Sequence, residues 1–326
     1  MVFRKFIISN IFLGGTDKYI SELFKNYKNL ERVSCYAELE SKNICSTDIL
    51  FVQHLINYID ITVDHLIEIK EKTGCKIIVT AHDFSWLTPN FLHNDKPSHI
   101  IYMQENIEVQ PLVKKLFNRV DMIITPSEFT FSFYKKYFDT NNIVICPHND
   151  FCIDENIKRV PLIHGNVINI ASVRSYTEVK GCENIDFLEY NCGEYKGYKI
   201  NVMRTGWHIP VYQEHDFFQQ LEQYNIHGLL HLNKYGESYD YSLTKSFNSG
   251  LPILYNNVGS YKTRIKEKEH YFKVMDHESQ YYDRELLRER FENMLDYIIE
   301  NNGTGNEMNK SFNFECRPLY NLLFNL

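Results

Sequence analysis

No run of about 18 apolar residues occurs anywhere in the chain, so it contains no segment fit to cross a membrane as a helix. No block of basic residues occurs either. Lys and Arg number 35 against 42 Asp and Glu, a net charge of −7, which excludes nucleic acid as a general partner. Any phosphate ligand must therefore find a local basic site rather than a basic surface. Cysteine forms no CxxC pair and no zinc spacing. The eight, at 35, 45, 75, 146, 152, 182, 192 and 316, are expected to be reduced structural thiols of a cytoplasmic chain. There is no HExxH pair and no Asp-x-Asp triplet, so the expectation is that no metal is held. A G-x-G-x-x-G fingerprint, an internal repeat and a low-complexity segment are all missing. The amino-terminal stretch MVFRKFIISNIFLGG is a poor secretion signal, because its apolar part is short and broken by Ser9 and Asn10. Phe3–Ile8 reads instead as a first buried strand.

What is present is a chain of 326 residues, enough for two domains or one large one, each able to bury a sizeable core. An apolar content of 44 % and a charged content of 24 % are those of an ordinary soluble globular protein. Apolar runs of strand length recur at Phe3–Ile8, Ile49–Val52, Lys76–Thr80, Met122–Thr125 and Ile143–Cys146. Helical patterns lie between them at Asp17–Tyr27, Tyr58–Thr73, Val109–Asn118 and Glu128–Phe138. This alternation predicts an α/β fold with parallel strands and helices on both faces. A charged, irregular segment between Phe151 and Gly165 reads as a linker. The alternation then resumes with strands at Asn166–Ala171, Tyr198–Met203, Ile226–Leu232, Leu251–Tyr255 and Tyr271–Met275. The many charges of Tyr281–Glu300 suggest a solvated helix, and Phe312–Leu326 is a short apolar tail.

Ligands of open α/β sheets bind beyond the carboxyl ends of the strands, so the loops there carry the functional candidates. The first strand runs into Gly14-Gly15-Thr16-Asp17, where the backbone can approach a ligand closely and a helix amino terminus can meet an anion. The strand Lys76–Thr80 ends in Ala81-His82-Asp83, a polar pair placed for chemistry. Ser127 is a natural N-cap ahead of Glu128. In the second half, Arg174 and Lys180 bracket a strand-to-helix loop. The stretch His231–Arg264, HLNKYGESYDYSLTKSFNSGLPILYNNVGSYKTR, reads as strand, loop, helix, strand and turn. A helix starting near Tyr239 would aim backbone amides at an anion. Trp207 and Ile209 lie on a further loop, where a packed aromatic is the expectation.

Several of these stretches share the wording of one family. GESYDYSLTKSFNSGLPILYNNVGSYKTRI resembles the donor-site motif of retaining glycosyltransferases of family 4, which reads Glu, seven residues, Glu, then small residues and Gly-Leu-Pro. Glu237 fills the first position, and Lys245 stands where the family has its second Glu. GGTDKYISEL is similar to the family's first loop, and HDFSWLTPN to its His-Asp segment. LFNRVDMIITPSEFT and Pro147-His148-Asn149-Asp150 resemble a strand and a turn of the first domain. Arg174…Lys180-Gly181 resembles its Arg…Lys-Gly pair.

The resemblance implies the GT-B architecture: two doubly wound Rossmann-like domains facing a cleft. It divides the chain into an acceptor-side domain at 1–155, a donor domain at 156–310 and a helix at 311–326 that crosses back to the first domain. The implied reaction transfers a sugar from a nucleotide diphosphate sugar to a hydroxyl of a glycan or glycoconjugate acceptor, with retention and without metal or other cofactor. By the same resemblance, Arg174 and Lys180 hold the diphosphate, and Ser242, Leu243 and Thr244 offer amides to it. Glu237 accepts hydrogen bonds from the sugar, while His82 and Asp83 line the sugar pocket. Gly14 and Gly15 let the first loop close over the reaction centre. Lys245 can only donate where a Glu would accept from the ribose hydroxyls; it meets a ribose oxygen, reaches the diphosphate or points to solvent. The expected location is the cytoplasm, or the host cytoplasm for a viral chain, with peripheral membrane contact left open. Two alternatives stand beside the transferase: an inactive GT-B protein that binds a nucleotide sugar or glycan as scaffold or regulator, and a sugar-nucleotide 2-epimerase.

Overall fold

The computed structural model describes residues 4–9, 15–53, 55, 60–87, 107–139, 141–148, 163–211, 216–266, 268–276 and 283–302. Gly14, most of the expected linker and the tail expected to cross back lie outside these residues. The chain divides into two compact units, one within Met1–Phe151 and the other within Cys152–Phe312.

The first unit is built on β1 (Lys5–Ile8), β2 (Leu30–Val33), β3 (Ile49–Val52), β4 (Lys76–Thr80), β5 (Met122–Thr125) and β6 (Ile143–Ile145). All are parallel, in the order β2-β1-β3-β4-β5-β6. KFII, ILFV and IIVT are buried throughout, as expected where helices cover both faces of a parallel sheet. Among the described residues these helices are α1 (Gly15–Asn26), α2 (Tyr36–Ser41), α3 (Val63–Thr73), α4 (Pro111–Phe117) and α5 (Glu128–Tyr137). Local chemistry sets their ends. Thr62 accepts from the His65 amide to open α3, and Gly74 closes it at φ +70°. Ser127 accepts from the Thr130 amide to open α5. The core gathers Leu50, Val79, Trp86, Leu116 and Phe117.

The second unit holds β7 (Val167–Ser172), β8 (Glu194–Tyr195), β9 (Tyr198–Arg204), β10 (Ile226–His231), β11 (Ile253–Tyr255) and β12 (Tyr271–Lys273). Their order is β12-β11-β10-β7-β9-β8, parallel except for the β8–β9 hairpin at one edge. The helices are α6 (Cys182–Asn191), α7 (Phe217–Gln223), α8 (Tyr241–Ser249), α9 (Tyr261–Arg264) and α10 (Arg284–Glu300). The expectation of a solvated last helix is corrected for α10. Leu287, Phe291, Met294, Leu295 and Ile298 form a continuous stripe, all buried against Ile168, Ile170 and Leu230. Its charges occupy the other face.

Each sheet reverses its winding once. In the first unit the chain moves outward on opposite sides from β1 and β3; in the second, from β7 and β10. At such a switch point the loops leaving two neighbouring strands part to opposite faces and open a crevice. Residues after β7 and β10 therefore meet at one crevice of the second unit. Residues after β1 and β3 do so in the first.

Candidate functional site

The crevice of the second unit is filled by a buried ionic network. Arg174 follows β7 and is 8 % exposed. Its Nη1 donates to Tyr261 Oη at 2.8 Å and to Asn233 Oδ1, and its Nη2 donates to Glu237 Oε1 at 3.0 Å. Asp240 Oδ2 lies 3.2 Å from Nη1. Lys180 also donates to Glu237 Oε1. Asn233, Glu237 and Asp240 all follow β10, so the winding reversal brings together residues about 60 positions apart, with |i−j| of 63 for Arg174 and Glu237.

Two glycines let these loops meet. Gly181 has φ +77°, and a Cβ there would stand 1.8 Å from the carbonyl oxygen of Leu232. The Arg174–Lys180 loop therefore packs directly on the end of β10. Gly259 has φ +58°, and its Cβ would stand 2.4 Å from Gly236 Cα. Beside it Glu237 forms a bridge with Gly259, and the Ser260 amide donates to the Glu237 carbonyl at 2.9 Å. The backbone of Glu237 is thus pinned by its neighbours before its side chain meets Lys180.

The charges regulate one another. Burial opposes ionisation of Glu237, but Lys180 and Arg174 outweigh it and hold the carboxyl below its usual range. Burial also opposes the Asp240 charge, which Arg174 and the His231 ring overcome, holding that carboxyl well below its ordinary value. Burial works against the Arg174 guanidinium, yet Asp240, Tyr261 and Glu237 raise its pKa. Burial and the adjacent Arg174 pull Lys180 down despite Glu237. Burial likewise lowers His231, which lies 2.8 Å from Ser246 Oγ and 3.1 Å from Tyr261 Oη. Two cations thus face two carboxylates and a neutral imidazole.

Helix α8 starts at this network, two residues later than the pattern suggests. Its amides do not stand open. Asp240 Oδ1 accepts from the Ser242 amide at 3.0 Å, the Leu243 amide at 3.3 Å and Ser242 Oγ at 2.6 Å. Thr244 lies one residue deeper, past the positions whose amides a helix start leaves orphaned. Its hydroxyl accepts from Arg264 Nη2 at 2.5 Å. Leu243 points into the apolar core with Phe247 and Tyr255. Lys245 is 8 % exposed, with its ammonium 5.4 Å from the centre of the Phe217 ring, so the solvent-facing alternative for it is corrected.

Trp207 departs from its expected packing as well. It is 69 % exposed and lies over the Arg204 guanidinium at 5.1 Å, with Tyr176 on the same cation at 4.7 Å. Ile209 is the buried member of that loop. The sequence also contains His227 and His231 four apart, a spacing that unites two ligands on a helix. Both lie on β10, where four residues span about 13 Å. No cluster suited to a metal occurs among the described residues.

In the first unit, His82 stands at the end of β4. Its Nε2 lies 2.8 Å from Gln53 Oε1, just beyond β3, and its Nδ1 lies 3.2 Å from His148 Nε2, beyond β6. Because the Gln53 oxygen can only accept, His82 donates to it from Nε2. The Tyr19 ring packs on both imidazoles, at 5.0 and 4.7 Å. Gln53 Nε2 is buried with no hydrogen-bond partner among the described residues. Asp83 turns to local work: its Oδ1 accepts from the Ser85 amide at 2.8 Å, and its carbonyl accepts from Tyr134 Oη. Gly15 opens α1 and is exposed.

Asp240, Tyr261, Asn233, His231 and Gln53 were not among the residues singled out by sequence. Only Asp240 offered a signal, as an N-cap type at a helix start.

Neither a family model nor a curated protein matches the chain. Solved structures do. A glycosyltransferase from Rickettsia africae ESF-5 aligns with 98 % of this chain and 98 % of its own, at 11 % identity and a TM-score of 0.56. HepE from Anabaena, in complex with UDP, aligns over 99 % and 96 % at 11 % identity and a TM-score of 0.55. Sucrose-phosphate synthase from Thermosynechococcus elongatus aligns over 98 % and 94 % at 11 % identity and a TM-score of 0.51. The two parallel-dominated α/β sheets of this chain make the GT-B fold that it shares with these structures.

Proposed function

We propose that this chain is a glycosyltransferase that moves a sugar from a nucleotide diphosphate sugar to an acceptor hydroxyl of a glycan or glycoconjugate, with retention and without a metal. The observation that carries this reading is the convergence of Arg174, Lys180, Glu237 and the start of α8 at the switch point between β7 and β10. In this role Arg174 and Lys180 balance the negative charge growing on the leaving diphosphate. A guanidinium offers directed donors and an ammonium a compact charge. Glu237, kept ionised, accepts from sugar hydroxyls through the oxygen that the two cations do not hold. Trp207 and Tyr176 offer rings beside Arg204. In the first unit, His82 with Gln53 and His148 offers hydrogen-bond donors and acceptors of the kind sugar hydroxyls match. Asp83 supports the turn beside them. The same fold in HepE, solved in complex with UDP-glucose, supports a nucleotide sugar as ligand.

A second reading is an inactive protein of this fold that binds a nucleotide sugar. It is favoured by Lys245, a buried cation where the resembled motif has an acceptor. Incubation with UDP-, GDP- and dTDP-sugars, with and without glycan acceptors, separates the two. The transferase reading expects release of nucleoside diphosphate above a no-protein control with at least one donor. Binding without release or transfer across the whole panel overturns it in favour of the second reading.

A further inference from the structure

The residue at the start of α8 has a conformation that its type disfavours. Asp240 has φ +80°, a backbone region that suits glycine. What holds it there is its side chain. Oδ1 takes the two free amides of the helix start and the Ser242 hydroxyl, while Oδ2 takes Tyr261 Oη and lies 3.2 Å from Arg174 Nη1. Arg264 Nη1 adds a hydrogen bond of 2.9 Å to its carbonyl. One carboxylate therefore engages each kind of group that a phosphate would use here: helix amides, a hydroxyl and a guanidinium.

The charges agree with the geometry. Arg174 and Lys180 are matched by Glu237 and Asp240 in the same buried network. A diphosphate that arrives with Asp240 in place finds the Arg174 and Lys180 charges already matched.

We infer that Asp240 is a specificity-determining residue: an internal anion standing where a donor phosphate would stand, which a nucleotide diphosphate must displace to bind. The inference rests on the nucleotide-sugar reading above and adds to it a penalty on anionic ligands written into the chain. The native site then binds nucleoside diphosphates weakly, and the charge of residue 240 sets how weakly. Asn at this position keeps both the capping oxygen and the tolerance of positive φ while removing the charge. Gly removes the cap but suits the backbone.

The test is calorimetric titration of the full chain and of its Asp240→Asn and Asp240→Gly variants with UDP, GDP, inorganic pyrophosphate and uridine. Thermal unfolding shows that each variant is folded. A like charge a few ångströms away at an effective dielectric near 20 predicts a tightening of about tenfold or more. It is expected for the nucleoside diphosphate that binds and for pyrophosphate, in both variants, and not for uncharged uridine. If the wild type binds a nucleotide and both variants bind it equally or more weakly, Asp240 is only a support for Arg174 and the inference falls, with the nucleotide reading intact. If no nucleotide or pyrophosphate binds any of the three proteins, both fall together.

Discussion

Two buried polar clusters stand at the carboxyl ends of parallel strands, one in each unit, and they are made of different groups. His82, His148 and Gln53 form a hydrogen-bonded chain of two imidazoles and an amide against the Tyr19 ring. Arg174, Lys180, Glu237 and Asp240 form a cluster of four ions tied to Tyr261, Asn233 and His231. The ionic one joins loops after β7 and β10 at the winding reversal of its sheet, whereas the other joins residues after β3, β4 and β6. The side chains then decide the chemistry. The imidazole–amide cluster can exchange hydrogen bonds with hydroxyls, whereas the ionic one is built around charge that must be balanced. The comparison predicts different penalties for damage.

The largest effect is expected from Arg174→Ala. It leaves Glu237 and Asp240 buried against a single ammonium, and breaking such a pair costs about 3–5 kcal/mol. His82→Ala in the first unit's cluster removes two side-chain hydrogen bonds and costs about 1–3 kcal/mol. Urea unfolding of both variants checks the ranking, and equal penalties would erase the distinction. Gly181→Ala comes next. Its Cβ would overlap a backbone oxygen that has no side-chain freedom to yield, at a φ that disfavours alanine. A loss of about 1–3 kcal/mol is expected. Gly165→Ala is the control, because it shares a positive φ, at +70°, but its Cβ would meet nothing within 4 Å among the described residues. Its smaller loss isolates the contact from the backbone strain.

The smallest effect is on pH. Burial, with Lys268 nearby, lowers the His270 pKa to about 4 from an ordinary 6.5. The unfolded chain therefore takes a proton below pH 6.5 that the folded unit refuses until about pH 4. Stability is full above that window and falls as pH drops through it. His270→Phe is expected to flatten the melting temperature of the second unit across the window. An unchanged slope would assign the titration elsewhere.

The sheets were legible in sequence because strands buried on both faces are written as unbroken apolar runs, such as ILFV and KIIVT. The edges were not. β2 reads LERV, with charges at its centre, and α2 is only 6 residues long, so neither makes a pattern against its surroundings. The many charges of α10 hid a stripe whose spacing was helical all along. At the site, Arg174, Lys180 and Glu237 could be singled out because each lies in a short stretch of recognisable wording. Their partners could not. Tyr261 reaches Arg174 across 87 positions, and that meeting depends on the winding of the sheet. The positive φ of Asp240 is likewise invisible in a residue type that also serves as an ordinary cap.

The most direct test of the account is a crystal structure of the full chain with the nucleoside diphosphate that binds it best. The account predicts diphosphate oxygens within hydrogen-bonding reach of Arg174 and Lys180, with the Asp240 carboxylate turned off the Ser242 and Leu243 amides. A nucleotide bound away from these residues, or bound beside them with Asp240 still on both amides, would contradict it.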